Sequence, residues 1–291
     1  MNFSKMHGLE NDFVIITDLE GKIGRYNNIA RQMCNRNLGI GADGLLVVRN
    51  GERTPYKMVI YNPDGSQAET CGNGIRCFAK YLHDHGLISG REIRIEDVVK
   101  SVDVEINEGD GKKRQVRVDM MEPKFYEPEK VTMNPKEYLS PRGLIRGIVD
   151  FPIEQDGIIY LITYISMGNP HVVIFNRDYE SLDLAVEGPA IGKATQYFPK
   201  KTNVEFVDVI NPNKINVKVW ERGAGITLAC GTGACASTVA SILKGKTAEE
   251  VLVHLPGGDL TISWDSKNDH VYMEGPAETV CEGIFLMNST E

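Results

Sequence analysis

No apolar run in the sequence approaches the roughly 20 residues that cross a bilayer as a helix, so it is not read as a helical membrane protein. The first residues, Met1-Asn2-Phe3-Ser4-Lys5-Met6-His7, lack the apolar stretch of a secretory signal. There is no Lys/Arg-rich segment either, and the net charge is −8, which argues against a nucleic-acid partner. Cysteine is sparse. Six cysteines (34, 71, 77, 230, 235 and 281) are scattered over 291 residues, and none forms the two-residue knuckle of a zinc site with histidines nearby. In a reducing compartment such a set is not a disulfide framework. These absences predict a cytoplasmic protein without metal, membrane or nucleic acid.

What is present is ordinary in bulk and unusual in two places. Apolar residues make up 42% and charged residues 25%, as in globular domains. A chain of 291 residues is long for one core and predicts two domains. The unusual stretches are Asn62–Cys77 and Glu221–Cys235. Each leaves an expected strand and passes through small and polar residues into Cys-Gly-x-Gly: Cys71-Gly72-Asn73-Gly74 and Cys230-Gly231-Thr232-Gly233. A helix is expected after each. A thiol at a helix mouth faces unpaired backbone N–H groups and the positive end of the helix dipole, so both thiols are expected to ionise more readily than a free cysteine, whose pKa is about 8.5.

Periodicity predicts strands near 45–48, 56–61, 92–97, 101–107 and 115–120, with helices from Asn27 or Asn28 to about Gly39 and from Cys71 to just before Gly86. The two prolines of Glu122–Pro128 predict an extended connector. An irregular region follows, then a hairpin at Gln155-Asp156-Gly157, strands at 160–165 and 172–175, and a helix over Leu184–Thr195. Further strands are expected at 204–210, 215–220, 251–255, 260–264 and 271–274, with Gly283–Asn288 as a separate terminal strand.

The halves repeat at a nearly constant offset. Cys71 and Cys230 are 159 apart, as are Asn62 and Glu221; Asn11 and Asn169 are 158 apart, as are Val14 and Val172; Gly44 and Asn203 are 159 apart. One long-period repeat signals a duplicated domain rather than a solenoid. The expected fold is α/β (α+β): two pseudo-symmetric domains that face each other, with the active site in the cleft between them. The expected boundaries are 1–120 for the domain carrying Cys71, 121–275 for the domain carrying Cys230, and 276–291 for a tail returning to the first domain. Two opposed thiols suit inversion at carbon, one removing a proton from one face while the other delivers a proton to the opposite face. Helix N-termini beside an α-carboxylate would stabilise the growing charge.

These residues resemble the diaminopimelate epimerases, two-cysteine enzymes of lysine and peptidoglycan precursor synthesis that work without pyridoxal phosphate. The resemblance rests on Cys71–Cys77, on Glu221-Arg222-Gly223-Ala224-Gly225 with Ala229–Gly233, and on Gly8–Phe13, Asn62–Ser66 and Met167–His171. It implies that each domain is a mostly antiparallel sheet wrapped around a central helix, with Cys71 and Cys230 as the acid/base pair and His171 and Glu221 as groups that tune them. Gly72, Asn73, Gly231 and Thr232 would hold the reacting carboxylate. Asn11, Asn62, Asn169, Asn203, Glu221 and Arg222 would hold the rest of the substrate. It implies epimerisation of L,L-2,6-diaminopimelate to the meso form, no cofactor, diaminopimelate as the small-molecule partner, and a homodimer. Three positions depart from the family pattern: Gly44 where Gln is frequent, Ile226 where Glu is common, and Thr70 where Gln or Met often sits. The rivals are a two-cysteine racemase of another amino acid such as histidine or proline, a non-catalytic binding module, and a thiol–disulfide redox protein. Cys34, Cys77, Cys235 and Cys281 are expected to be small core residues.

Overall fold

The computed structural model describes residues 1–68, 71–98 and 100–287; Thr70 and Asn288, both singled out above, lie outside them. The chain divides into two compact units, one of Met1–Asp119 with the segment from Glu274 onward, the other of Met120–Met273. The first contains β1 (Asn2–Gly8), β2 (Asn11–Thr17), α1 (Tyr26–Met33), β3 (Gly44–Asn50), β4 (Tyr56–Tyr61), β5 (Gln67–Ala68), α2 (Gly72–Asp84), β6 (Glu92–Glu96), β7 (Ser101–Gly109) and β8 (Lys113–Asp119). The second contains β9 (Lys136–Ser140), β10 (Gly143–Gly147), β11 (Phe151–Gln155), β12 (Ile158–Ser166), β13 (Pro170–Ile174), α3 (Leu184–Gly192), β14 (Asn203–Asn211), β15 (Lys214–Glu221), β16 (Gly225–Thr227), α4 (Gly231–Leu243), β17 (Glu250–Leu255) and β18 (Gly258–Trp264). The last strand, β19 (Val271–Ile284), starts in the second unit and ends in the first.

The pairing repeats. β2 lies parallel to β3, β3 antiparallel to β4, and β4 parallel to β6. In the second unit β13 lies parallel to β14, β14 antiparallel to β15, and β15 parallel to β17. Register repeats as well: Phe13 faces Gly44 and Leu45 faces Tyr61, while His171 faces Asn203 and Val204 faces Trp220. The duplication read from the offsets is therefore present in the backbone.

Each unit wraps its sheet around one helix. α2 touches β1, β2, β3, β6, β7 and β8, and α4 touches β12, β13, β14, β15, β17 and β18. A helix surrounded in this way must be apolar or internally satisfied on every side. In α4 small residues meet the requirement, and from Gly233 to Leu243 every side is buried. α2 instead buries Arg76 and Lys80. The Lys80 ammonium is satisfied by Asp84, by Gly111 O at 2.8 Å and by Thr279 Oγ1 at 2.8 Å, which ties the helix to β19.

Four expectations need correction. α1 stops at Met33, because the Asn35 side chain takes the N–H groups of Asn37 and Leu38 at 2.9 Å each and turns the chain. α3 ends at Gly192, three residues early. The expected irregular region contains the β9–β10 hairpin. The terminal strand is not separate: β19 runs unbroken through Pro276.

Candidate active site

In the first unit the β-region backbone of Cys71 caps α2, and its sulfur accepts the N–H of Gly74 at 3.4 Å. The thiol also points to Asn11 Oδ1 at 3.6 Å, and Asn73 Nδ2 donates to the same oxygen at 3.3 Å. Asn73 is held in turn by the buried Arg76, whose Nη2 donates to Asn73 Oδ1 at 3.0 Å while its Nε donates to Pro276 O at 3.2 Å. Asn11 reaches this point at the start of β2 and is fixed by donation to Asp43 at 2.9 Å. The structure thus gathers Cys71, Asn11 and Asn73 into one polar chain at the first turn of α2, with Gly72 beside them. Asn62 lies in a closed turn, its N–H on Ser66 O at 2.8 Å and its amide on Ser66 Oγ at 3.0 Å.

In the second unit Cys230 caps α4 and is 5% exposed. Its sulfur is 3.5 Å from Thr232 Oγ1, and Asn169 Nδ2 donates to that hydroxyl at 3.2 Å. Asn169 Oδ1 lies 3.0 Å from His171 Nε2, and His171 Nδ1 lies 2.7 Å from Glu205 Oε1. Asn203, opposite His171 on β14, joins two segments of the unit: its amide donates to Pro170 O and accepts the Arg222 N–H, both at 2.9 Å. Glu221 at the end of β15 accepts the Thr227 hydroxyl at 2.6 Å, and the Arg222 side chain is exposed. Gly231 opens the helix beside these groups.

The helix-mouth argument gives the wrong sign for Cys230. Burial pushes its thiol well above the ordinary value, and the Glu221 and Glu205 carboxylates push it further. The Thr232 hydroxyl and the Gly233 N–H favour the thiolate and are outweighed. Burial likewise pushes the Cys34 and Cys77 thiols up to about 12, as suits core residues. Cys281, expected in the core, is exposed.

Sequence reading missed Arg76 as the support of Asn73, and it missed Glu205. The only signal for Glu205 was a carboxylate inside the apolar run Val204-Glu205-Phe206-Val207. Among the described residues no group of three or more His, Cys, Asp and Glu side chains is placed to hold a metal ion. No described helix is long and apolar enough to cross a membrane. What the two sites offer chemically is a pair of hydrogen-bonded thiols, each beside N–H groups at a helix mouth that suit a carboxylate.

Solved structures share this fold. A PhzF-family phenazine biosynthesis protein of Bacillus anthracis aligns with a TM-score of 0.67 at 14% identity, covering 99% of both chains. A hydroxyproline epimerase of Agrobacterium vitis, solved with bound trans-4-hydroxy-L-proline, aligns with a TM-score of 0.64 at 14% identity, over 97% of this chain and 91% of its own. At such identities the likeness is one of fold, and the class it defines is the two-unit α/β fold of those proteins. Sequence goes further. The diaminopimelate epimerase family profile matches residues 3–126 and 163–280. The diaminopimelate epimerase of Desulfitobacterium hafniense is 46% identical over 291 residues, 98% of each chain, and that of Pelotomaculum thermopropionicum is 45% identical over 287 residues, 98% of this chain and 99% of its own. The chain belongs to the diaminopimelate epimerase family.

Proposed function

We propose that the protein is an isomerase that converts L,L-2,6-diaminopimelate to meso-diaminopimelate, with Cys71 and Cys230 exchanging protons with Cα and no cofactor or metal. The observation that carries the reading is the repeated arrangement of a cysteine capping a buried central helix, bonded into a polar chain in each unit. Family membership supplies the substrate.

A two-base inversion needs one thiolate and one thiol. Cys230, buried beside two carboxylates, keeps its proton, so Cys71 takes the part of the base. The Cα proton passes to Cys71 sulfur, and the resulting carbanion takes the Cys230 proton on its other face. The products are Cys71 thiol and Cys230 thiolate, the starting state for the reverse reaction. The α-carboxylate belongs at the N–H groups of Gly72 and Asn73 and of Gly231 and Thr232, where charge developing at Cα is stabilised most. His171 and Glu221 tune Cys230. Asn11, Asn62, Asn169, Asn203, Glu221 and Arg222 hold the remainder: amides and Arg222 suit the distal carboxylate, and Glu221 the ammonium. Asn203 serves this set through Arg222, whose backbone it grips.

Acid–base groups of this kind contribute about a hundredfold or more to rate. Cys71→Ser and Cys230→Ser should each lower epimerisation by at least about that factor, with native circular dichroism and melting temperature. Full turnover in either variant would sink the two-thiol scheme. The proposal also has the chain acting in the cytoplasm as a homodimer; light scattering on the eluting protein checks the latter, and a monomer with full activity would remove it.

A further inference from the structure

The two half-sites are built on the same register but have different backing. Behind the first turn of α2, an added Cβ at Gly74 would sit 3.5 Å from Leu46 Cδ2. Behind the first turn of α4, an added Cβ at Gly233 would sit 2.7 Å from Glu205 Oε1. Leu46 and Glu205 are counterparts in the repeat, as are Phe13 and His171: Ile15 faces Leu46 on β2 and β3 while Val173 faces Glu205 on β13 and β14. Where the first unit has an apolar pair, the second has a carboxylate and an imidazole, both fully buried.

The hydrogen bonds fix how this pair holds its proton. Asn169 donates its amide N–H to Thr232, so its oxygen must accept from His171 Nε2–H. The bond between Nδ1 and Glu205 Oε1 at 2.7 Å then requires one further proton, on the imidazole or on the carboxyl. Either way the pair is neutral overall. Glu205 Oε2 is buried with no hydrogen-bond partner, and an ionised carboxylate is costly with an oxygen so placed.

We infer that Glu205 is a positioning residue for the Cys230 half of the epimerisation: by sharing one proton with His171 it locks Nε2–H onto Asn169, which orders the Thr232 hydroxyl against the thiol. The inference rests on the proposed role of Cys230. The titratable groups acting on Glu205 are His171 from β13 and Glu221 from β15, and those acting on Cys230 are Glu221 and Glu205. The β12 tyrosines are bound elsewhere, Tyr160 to Glu187 and Tyr164 to Glu127.

Two variants of the full chain test this. Glu205→Gln can still donate to Nδ1, so kcat/KM at neutral pH should stay within about threefold of native. Glu205→Leu copies the Leu46 arrangement and frees Nδ1; kcat/KM should fall about tenfold to a hundredfold, mostly in kcat. A loss in Glu205→Gln as large as in Glu205→Leu, or native kcat/KM in a folded Glu205→Leu, would overturn the inference. If Glu205→Leu does not fold, 15N NMR of His171 in the native protein decides: Nε2 protonated across neutral pH supports the lock, and a ring titrating as a free imidazole overturns it. An inactive Cys230→Ser beside an inert Glu205 would remove this inference alone, whereas an active Cys230→Ser would remove the function beneath it.

Discussion

At the scale of single residues the two thiols differ more than their matching motifs suggest. Cys71 receives a backbone N–H and lies beside two asparagines, one of them supported by an arginine. Cys230 is buried with two carboxylates acting on it. Both helix-mouth positions were legible, because a cysteine before Gly-x-Gly recurs in each half. The sign of the Cys230 shift was not, because it comes first from burial of the thiol, with Glu221 and Glu205 from other strands adding to it. Gly44 makes a second residue-scale point. An added Cβ there would meet Tyr61 O at 3.2 Å and the Phe13 ring at 3.4 Å, tighter than the packing between β3 and its neighbours accepts without movement. Gly44→Gln should therefore cost about 1–3 kcal/mol of stability, read as a lower denaturant midpoint. An unchanged midpoint would mean the neighbours give way freely.

At the scale of elements, α3 acts as a shelf for the residue that precedes Glu221. Cβ atoms added at Gly188 and Gly192 would lie 2.6 Å and 2.2 Å from Trp220 side-chain atoms, so the indole packs on bare helix backbone. Trp220 ends on Glu221-Arg222, and its seat sets where those side chains start. Gly192→Ala should lower stability by about 1–3 kcal/mol and raise KM for diaminopimelate more than it lowers kcat; a change in stability with native KM would detach the shelf from substrate binding. Most strands and both central helices were readable from alternation and from Cys-Gly-x-Gly, though not β1, β5 or β16. The β9–β10 hairpin was not, since Leu139 and Leu144 are 78% and 65% exposed and its pattern has no core to answer to. The early end of α1 came from an asparagine side chain competing with the helix for backbone N–H groups, which periodicity does not register.

At the scale of the whole molecule, the duplication was legible because register, set by which faces are buried, fixes spacing more tightly than residue identity. What spacing could not show is where the repeats diverge chemically, as at Leu46 and Glu205. Stability against acid is also a property of the fold. Glu96 is buried, receives the N–H groups of Arg53 and Glu52 at 2.9 and 3.0 Å, and lies 3.2 Å from the Lys57 ammonium. The Arg53 N–H leads in holding its carboxyl down at about 2, from an ordinary 4.5. A carboxyl whose folded value is depressed contributes stability that is complete above its unfolded value and is lost as pH falls toward the folded one. Melting temperature should thus drop between pH 4.5 and about 2, and Glu96→Gln should flatten that part of the curve. An identical slope in the variant would assign acid sensitivity elsewhere.

The central claim is that two thiols carry the proton across Cα, and the most direct test is one NMR experiment in D2O with L,L-diaminopimelate, alongside histidine and proline. Two bases require solvent deuterium at the inverted Cα of the meso product, with little in substrate recovered at early turnover, and no exchange on the other amino acids. Protium retained at the inverted carbon would mean that one group removes and returns the same proton, and the two-thiol account would fail.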